Sequence, residues 1–282
     1  MSLLDRIKNC NNCENLSDYR EFSIWGVPVG WLHHDFFDVL KRFDSVFEFS
    51  AEGISLSADL KNYEDRTNAL ALVLETLVEE GWVNGWRDEA YPVGDGFYSV
   101  PFLEMDRSAV PRFGVSAYGI HINGFVRCKD ELMMWIGRRA DDKPTYPGML
   151  DNMVAGGQPV GLSLVENLIK ECAEEAAIPA EIAQKARPVG SISYRHKEDN
   201  CVKPDVMFVF DLELPPDFNP VNNDGEVAEF KLLPAQEVMS ITSDTTAFKF
   251  NCAAVNIDFF IRHGILHPEH PDYIEIQRGL HR

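Results

Sequence analysis

Residues 156 to 179 read GGQPVGLSLVENLIKECAEEAAIP, and within them Glu171, Glu174 and Glu175 stand at i, i+3 and i+4. Residues on an α-helix turn by about 100° each, so acids at this spacing share an arc of roughly 100°. Carboxylates this close repel one another by a few tenths of a kcal/mol per pair. Glu174 and Glu175 also fall in the last helical turn, where the helix dipole disfavours anions. A divalent cation removes both penalties. Carboxylate oxygens with bound water suit Mg2+ or Mn2+, which bind a few carboxylates together with substrate phosphates. The plain alternative is a solvated acidic face, the ordinary fate of an E-x-x-E-E run. Gly156-Gly157 just upstream weighs against it, because glycines allow close approach to the backbone.

The helix that must hold these acids has a clear start. Ser163 followed by Glu166 fits a capping box. Val165, Leu168, Ile169, Cys172 and Ala176 make one apolar stripe, expected to face a sheet. The spacing predicts a helix from about Leu164 to Ala176, entered from a short strand in LDNMVAGG. Strands are expected in SAYGIHINGFVRCK and ELMMWIGRRA, joined as a hairpin, and around SISYRHK, DVMFVFDLEL and VAEFKLL. CAAVNIDFFIRHG reads as a last helix stopped by Gly264. Upstream, EFSIWGVPVGWL has β-rich residues around a Gly-Val-Pro turn, and ISLSADL alternates as a strand does. HHDFFDVLKRF and NALALVLETLVEEGWV have helical spacing, the second closed by Gly81. YPVGDGFYSVPF reads as strand or hairpin, followed by a helix near FLEMDRSAV that Pro111 breaks. A domain boundary is therefore expected near residue 110, giving units 1–110 and 111–282. The whole reads as an α/β or α+β protein with a mixed sheet and helices on its faces.

The chain has 282 residues, 45% hydrophobic and 25% charged, which suits a globular protein with a sizeable core. A formal net charge of −19 repels nucleic acid backbone and anionic membranes. It also repels free phosphates, so a phosphorylated substrate needs a local cation to bridge it to the protein. No apolar run approaches the roughly 20 residues that cross a bilayer. The start, MSLLDRIKNCNNCENLSDY, does not resemble a secretory signal, so a cytoplasmic home is expected. Of the six cysteines, Cys10 and Cys13 form C-x-x-C without a second pair at zinc-finger spacing. Reduced, largely buried thiols are expected throughout.

The segment from Gly156 to Ile178 resembles the Nudix hydrolase signature G-x5-E-x7-R-E-U-x-E-E-x-G-U, with U aliphatic. Gly156 aligns with its first glycine, and Lys170-Glu171-Cys172-Ala173-Glu174-Glu175-Ala176-Ala177-Ile178 with its second half. Three positions depart: Leu162 for the first Glu, Lys170 for the Arg, and Ala177 for the late Gly. Either Ala177 stands in a left-handed conformation, at a cost of about 1 kcal/mol relative to Gly, or the helix ends differently from the family's. GWRDE, HINGF, LDNMVAGGQPVGLS, LIKECAEEA, FDLELPPDFNP, DGEV and IDFFIRHG together resemble one branch of the family. That branch carries an N-terminal domain of about 110 residues and is related to the Nudix part of fungal thiamine pyrophosphokinases.

The resemblance implies a Nudix α/β/α sandwich behind a smaller α+β domain. It implies hydrolysis of a small-molecule diphosphate with Mg2+, Mn2+ serving as an alternative, and a homodimer as the candidate assembly. Thiamine diphosphate, or its oxidised and damaged analogues, is the substrate class of that branch. A pyrophosphatase for ADP-ribose, NADH or nucleotide sugars is the rival enzyme, and a non-catalytic ligand sensor the rival of another class. Glu171, Glu174 and Glu175, with the carbonyl of Gly156, are the implied metal ligands. Glu174 and Glu175 are also candidate catalytic residues, and Glu226, in a turn before a strand, is the favoured base. Arg138, Arg139 and Lys170 are candidates for phosphate. Trp25, Trp31, Trp86, Tyr91, Tyr118 and Tyr146 could hold a flat heterocycle, the first four from the N-terminal domain.

Overall fold

The computed structural model describes residues 1–129 and 131–282. Its elements gather around separate cores. In the first, Tyr19–Ile24 pairs antiparallel with Val27–His33 and parallel with Gly53–Leu56, which in turn pairs with Phe47–Phe49. The helix Tyr63–Glu79 buries Leu70, Val73, Leu74 and Leu77 against this region, and Asn62 caps it by accepting from the Asp65 N–H. Gly81, at φ 77°, follows its end in the left-handed region. Phe22, Phe36 and Phe47 share this core with Val110, Phe113 and Val115.

The second region is built on a seven-stranded mixed sheet. Its main path runs Arg187–Ser193, Val206–Glu213, Tyr118–Cys128, Glu131–Arg139, Val227–Pro234. Tyr118–Cys128 and Val206–Glu213 run parallel, and the other pairs are antiparallel. Val154–Gly157 adds to Tyr118–Cys128, and Leu150–Asn152 to Glu131–Arg139. Leu168, Cys172 and Ala176 of the helix Leu164–Ala176 cover one face with Ile120, Ile122 and Phe210. On the other face, Phe250–Arg262 packs with Ala235–Asp244, Tyr273–Gly279 and the helix Leu3–Cys10. Alternate strand residues feed the two cores, as the two-residue period of a pleated sheet requires. The result is a mixed α+β protein with a helix-sheet-helix sandwich.

Leu3, Ile7 and Cys10 thus join a core otherwise made from residues 125–280. Arg6 donates Nε–H to the Thr242 carbonyl at 3.0 Å, and the Asn11 amide donates to the Gly279 carbonyl at 2.8 Å.

The single strand expected in LDNMVAGG is two, Leu150–Asn152 and Val154–Gly157, and one element has another type than expected. The helix predicted near FLEMDRSAV is the strand Leu103–Asp106, paired with Ala90–Val93. Leu103 and Met105 are buried while Glu104 between them is half-buried, a period of two that outweighs the helix propensity of Leu, Glu and Met. The helix that follows, Val110–Phe113, is short and carries Pro111 in its first turn instead of being broken by it. Proline suits a first turn, where its missing N–H would be unbonded anyway.

Candidate functional site

The helix Leu164–Ala176 has the expected bounds and cap. Ser163 Oγ accepts from the Glu166 N–H at 3.2 Å, and Glu166 accepts from the Ser163 N–H at 2.9 Å. Asn167, fully buried, donates its amide to the Gly157 carbonyl at 2.7 Å and so ties the first turn to the strand end. Ala177 closes the helix in the left-handed region at φ 51°, ψ 34°, as its alignment with the family's glycine predicts. Val165 departs from the expected stripe: it shares the face of Cys172 but is exposed, since nothing covers the first turn there.

The three acids have different environments. Glu175 is buried and accepts from the Ala155 N–H at 2.9 Å. Glu171 is buried against Gly156, where a Cβ would lie 2.3 Å from the Glu171 carboxyl carbon. Gly156, on the strand Val154–Gly157, is therefore required to make room for a carboxylate of the helix that follows. Glu174 is half exposed. Lys170 sits between two of them, its ammonium 3.1 Å from Glu171 and 2.8 Å from Glu174.

Burial pushes the Glu171 carboxyl above the usual range; Lys170 opposes the shift, while Glu174 and Glu89 add to it. Glu175 is pushed well above, first by burial and then by the charges of Asp151, Glu171 and Glu226, against the single Ala155 N–H. Partial burial works against the Lys170 charge, yet its bonds to Glu174 and Glu171 hold it above the ordinary lysine value. Buried acids short of positive charge, with a lysine already drawn between two of them, are a setting that favours a cation.

Glu226 lines the same small cavity as Glu175, together with Arg138, Arg139 and Asp151. It follows Gly225, and its N–H is held by Asp224 Oδ1 at 2.8 Å. Burial pushes its carboxyl up, but an ion pair with Lys143, aided by Arg107 and Arg139, holds it below the usual value. It stays ionised. Arg139 is committed: it pairs with Asp151 at 3.0 Å and donates to the carbonyls of Tyr146 and Thr145 at 3.1 and 2.8 Å. Arg138 leans outward to exposed Asp141 at 2.7 Å.

Of the aromatic candidates, Tyr91 reaches the site. A Cβ on Gly157 would lie 1.4 Å from its hydroxyl oxygen and 3.3 Å from the Arg107 guanidinium carbon. Gly157 thus makes room for side chains from the first region, as Gly156 does for Glu171. Tyr118 borders the site through its carbonyl, which accepts from the Gln158 N–H at 2.9 Å, and its ring packs on Phe97 at 4.9 Å. Tyr146 donates to Glu198, Trp25 lies under Arg66, Trp86 donates to Asp88, and Trp31 packs against the Cys13–Tyr19–Val202 cluster. Arg107, Glu89 and Asn167 were invisible to sequence reasoning, since each matters through a contact with another part of the chain.

Two other groups have ligand-type atoms all within 4.8 Å of one another among the described residues: His33, His34 and Asp35, and His121, Asp151 and Cys252. The second is fully buried beside Glu175. Burial lowers the His121 pKa to about 4 and pushes the Cys252 thiol well up, so both are neutral at pH 7. A cavity of about 220 Å³ bordered by Glu21, Glu48 and Glu52 lies in the first region, with no residue in common with this site.

Comparison with known proteins decides the family. Residues 119–252 match the model of the NUDIX domain, and residues 2–117 match a domain of unknown function, DUF4743. Nudix hydrolase 20, chloroplastic, of Arabidopsis thaliana is 43% identical over 286 residues, covering 98% of this chain and 76% of that protein. The chain belongs to the Nudix hydrolase family. This Nudix hydrolase is also 42% identical to Nudix hydrolase 24, chloroplastic, of the same plant, over 98% of the chain and 77% of that protein. An uncharacterized Saccharomyces cerevisiae protein is 33% identical over 85% of the chain and 75% of its own length. Among solved structures, a MutT/nudix family protein from Enterococcus faecalis aligns at a TM-score of 0.42 and 13% identity, over 82% of this chain and 81% of that one. Nudix hydrolases act on pyrophosphate bonds and generally use divalent metals, so the acidic helix is read in that light. No helix among the described residues is long and apolar enough to cross a membrane.

Proposed function

We propose that this Nudix hydrolase cleaves the diphosphate of a small organic molecule, with thiamine diphosphate and its oxidised analogues as the preferred class. The observation that carries the hydrolytic reading is the pair Glu171 and Glu175. They are buried carboxyls of one helix, set against a glycine strand end and short of positive charge. The thiamine-type substrate is supported by the wording of the sequence segments outside the box. In this reading Glu171, Glu174, Glu175 and the Gly156 carbonyl hold Mg2+, an all-oxygen donor set that fits a hard cation. When bound, the ion supplies charge neutralisation for phosphate oxygens and acidifies water.

The chain's own residues do the rest. Glu226, held ionised and facing the Glu175 cavity, accepts a proton from the attacking water. Water adds to one phosphorus, the bridging P–O bond breaks, and the products are a monophosphate and inorganic phosphate. Lys170 steers Glu171 and Glu174 and balances them until the cation arrives. Arg138, with donors to spare beyond Asp141, meets the departing phosphate. The test is phosphate release with Mg2+ from a panel of thiamine diphosphate, its oxo and oxy analogues, ADP-ribose and NADH. Preferential cleavage of the thiamine-type compounds is expected; preference for ADP-ribose or NADH would move the substrate assignment, and no cleavage at all would overturn the hydrolytic one.

A further inference from the structure

The cations around the site differ in how fully they are used. Lys170 bridges two glutamates, Lys143 pairs with Glu226, and Arg139 is spent on Asp151 and two carbonyls. Arg138, bonded to Asp141, keeps donors to spare, and so does Arg107, the one of the two that comes from the N-terminal region. Its guanidinium carries five N–H donors, and among the described residues it uses one, from Nη1 to Glu89 at 2.9 Å. Its side chain is 48% exposed. Its backbone is fixed: the N–H donates to the Glu89 carbonyl at 2.8 Å, and Asp106 Oδ1 locks the next residue by accepting from the Ser108 N–H at 2.9 Å. The guanidinium rests over the Tyr91 ring at 5.6 Å and against Gly157. The charge of Glu171 favours its ionised form, and its own charge in turn lowers the Glu226 carboxyl. A rigidly mounted, half-open arginine with spare donors therefore stands at the edge of the acidic cluster, and it comes from the other region of the molecule.

We propose that Arg107 binds a phosphate group of the substrate, carried into the Nudix site by the N-terminal region and held in place by Glu89 until the phosphate arrives. The substrate class rests on the diphosphate reading above. The pair with Glu89 is too exposed to be a strong brace, since such pairs contribute about 0–1 kcal/mol. A guanidinium fork matches phosphate oxygens two at a time, and in a cluster this acidic an added anion needs such a partner. The N-terminal domain is thus a working wall of the active site.

The test uses the full chain, Mg2+ and inorganic pyrophosphate, with binding read by calorimetry. Arg107→Ala should weaken pyrophosphate binding by about 10- to 100-fold, the scale of hydrogen bonds to a charged group. Arg107→Lys should recover part of the loss, having the charge without the fork. Glu89→Gln should bind as tightly as wild type or more tightly, because it frees the guanidinium. Unchanged binding in Arg107→Ala would overturn the proposal, as would equal losses in Arg107→Ala and Glu89→Gln, the mark of a structural brace. Wild-type protein that fails to bind pyrophosphate would overturn it too. Wild type that binds through Arg107 but cleaves nothing in the panel would support this assignment and sink the hydrolytic one.

Discussion

Asp211 and Glu175 are equally buried, each 7% exposed, and both belong to layers packed on the seven-stranded sheet. Asp211 is ringed by donors: Arg262 with two nitrogens at 2.5 and 3.0 Å, His263 at 2.8 Å and the Asn123 amide at 3.1 Å. Burial pushes its carboxyl up, but those partners hold it below the usual range. Glu175 has one donor among the described residues, the Ala155 N–H, and is surrounded by other acids. The difference separates a carboxylate that holds the fold together from one that, under the proposed function, awaits a cation. Burial alone does not distinguish the two; the completeness of the partner shell does.

The largest expected effect is on turnover. Glu175→Gln should lower Mg2+-dependent hydrolysis about 1,000-fold, roughly 4 kcal/mol of barrier, while metal-free thermal stability holds or rises because a repelled charge is gone. A fall in both, measured by phosphate release and melting, would erase the contrast with Asp211. Next in size, Asp211→Ala should cost about 3 kcal/mol of stability by leaving the partly exposed Arg262 and His263 without their buried acceptor. Turnover per folded molecule should be unchanged; a stable variant with lost activity would reverse the roles. Added Mg2+ at 100 times its Kd should stabilise wild type by about 2.7 kcal/mol, seen as a higher Tm, and should do so far less in Glu171→Gln.

Opposite pH slopes offer a finer test, in chelator. Glu175 is raised above 4.5 on folding, so the folded state holds its proton more tightly and stability is lost as pH climbs past 4.5. Asp211 is lowered below 3.8, so its contribution is present above that value and lost as pH falls below it. Denaturant midpoints of Glu175→Gln and Asp211→Asn against pH should each lack one of these slopes. The smallest effect is at Ala177, held at φ 51°. Ala177→Gly should stabilise by about 0.5–1 kcal/mol without touching activity. A loss there would mean that the helix end depends on the alanine methyl.

Much of the acidic helix Leu164–Ala176 was legible because its signals are local. The Ser163–Glu166 box, the stripe from Leu168 to Ala176 and the left-handed Ala177 each depend on neighbours within a few positions. The misread segment, Leu103–Asp106, shows the limit: residues that favour helix in isolation became a strand because Ala90–Val93 lay ready to pair. Gly156 and Gly157 were recognisable as places of close approach, but what approaches them was not. One accommodates Glu171 and the other Tyr91 and Arg107, and the latter contact joins positions fifty apart in the chain. The partner shell of Asp211, drawn from Asn123, Arg262 and His263, was hidden for the same reason.

The helix Leu3–Cys10 has a consequence for the order in which the molecule is made. Residues 22–115 can close their core as soon as they leave the ribosome. Leu3, Ile7 and Cys10 cannot: their partners include Phe259 and Ile276, which are synthesised long after them. Until those later residues are made, the apolar side chains of Leu3–Cys10 have no core to join, while the first region can already close. Docking of this segment therefore follows synthesis of the residues around 250–280 that bring its core.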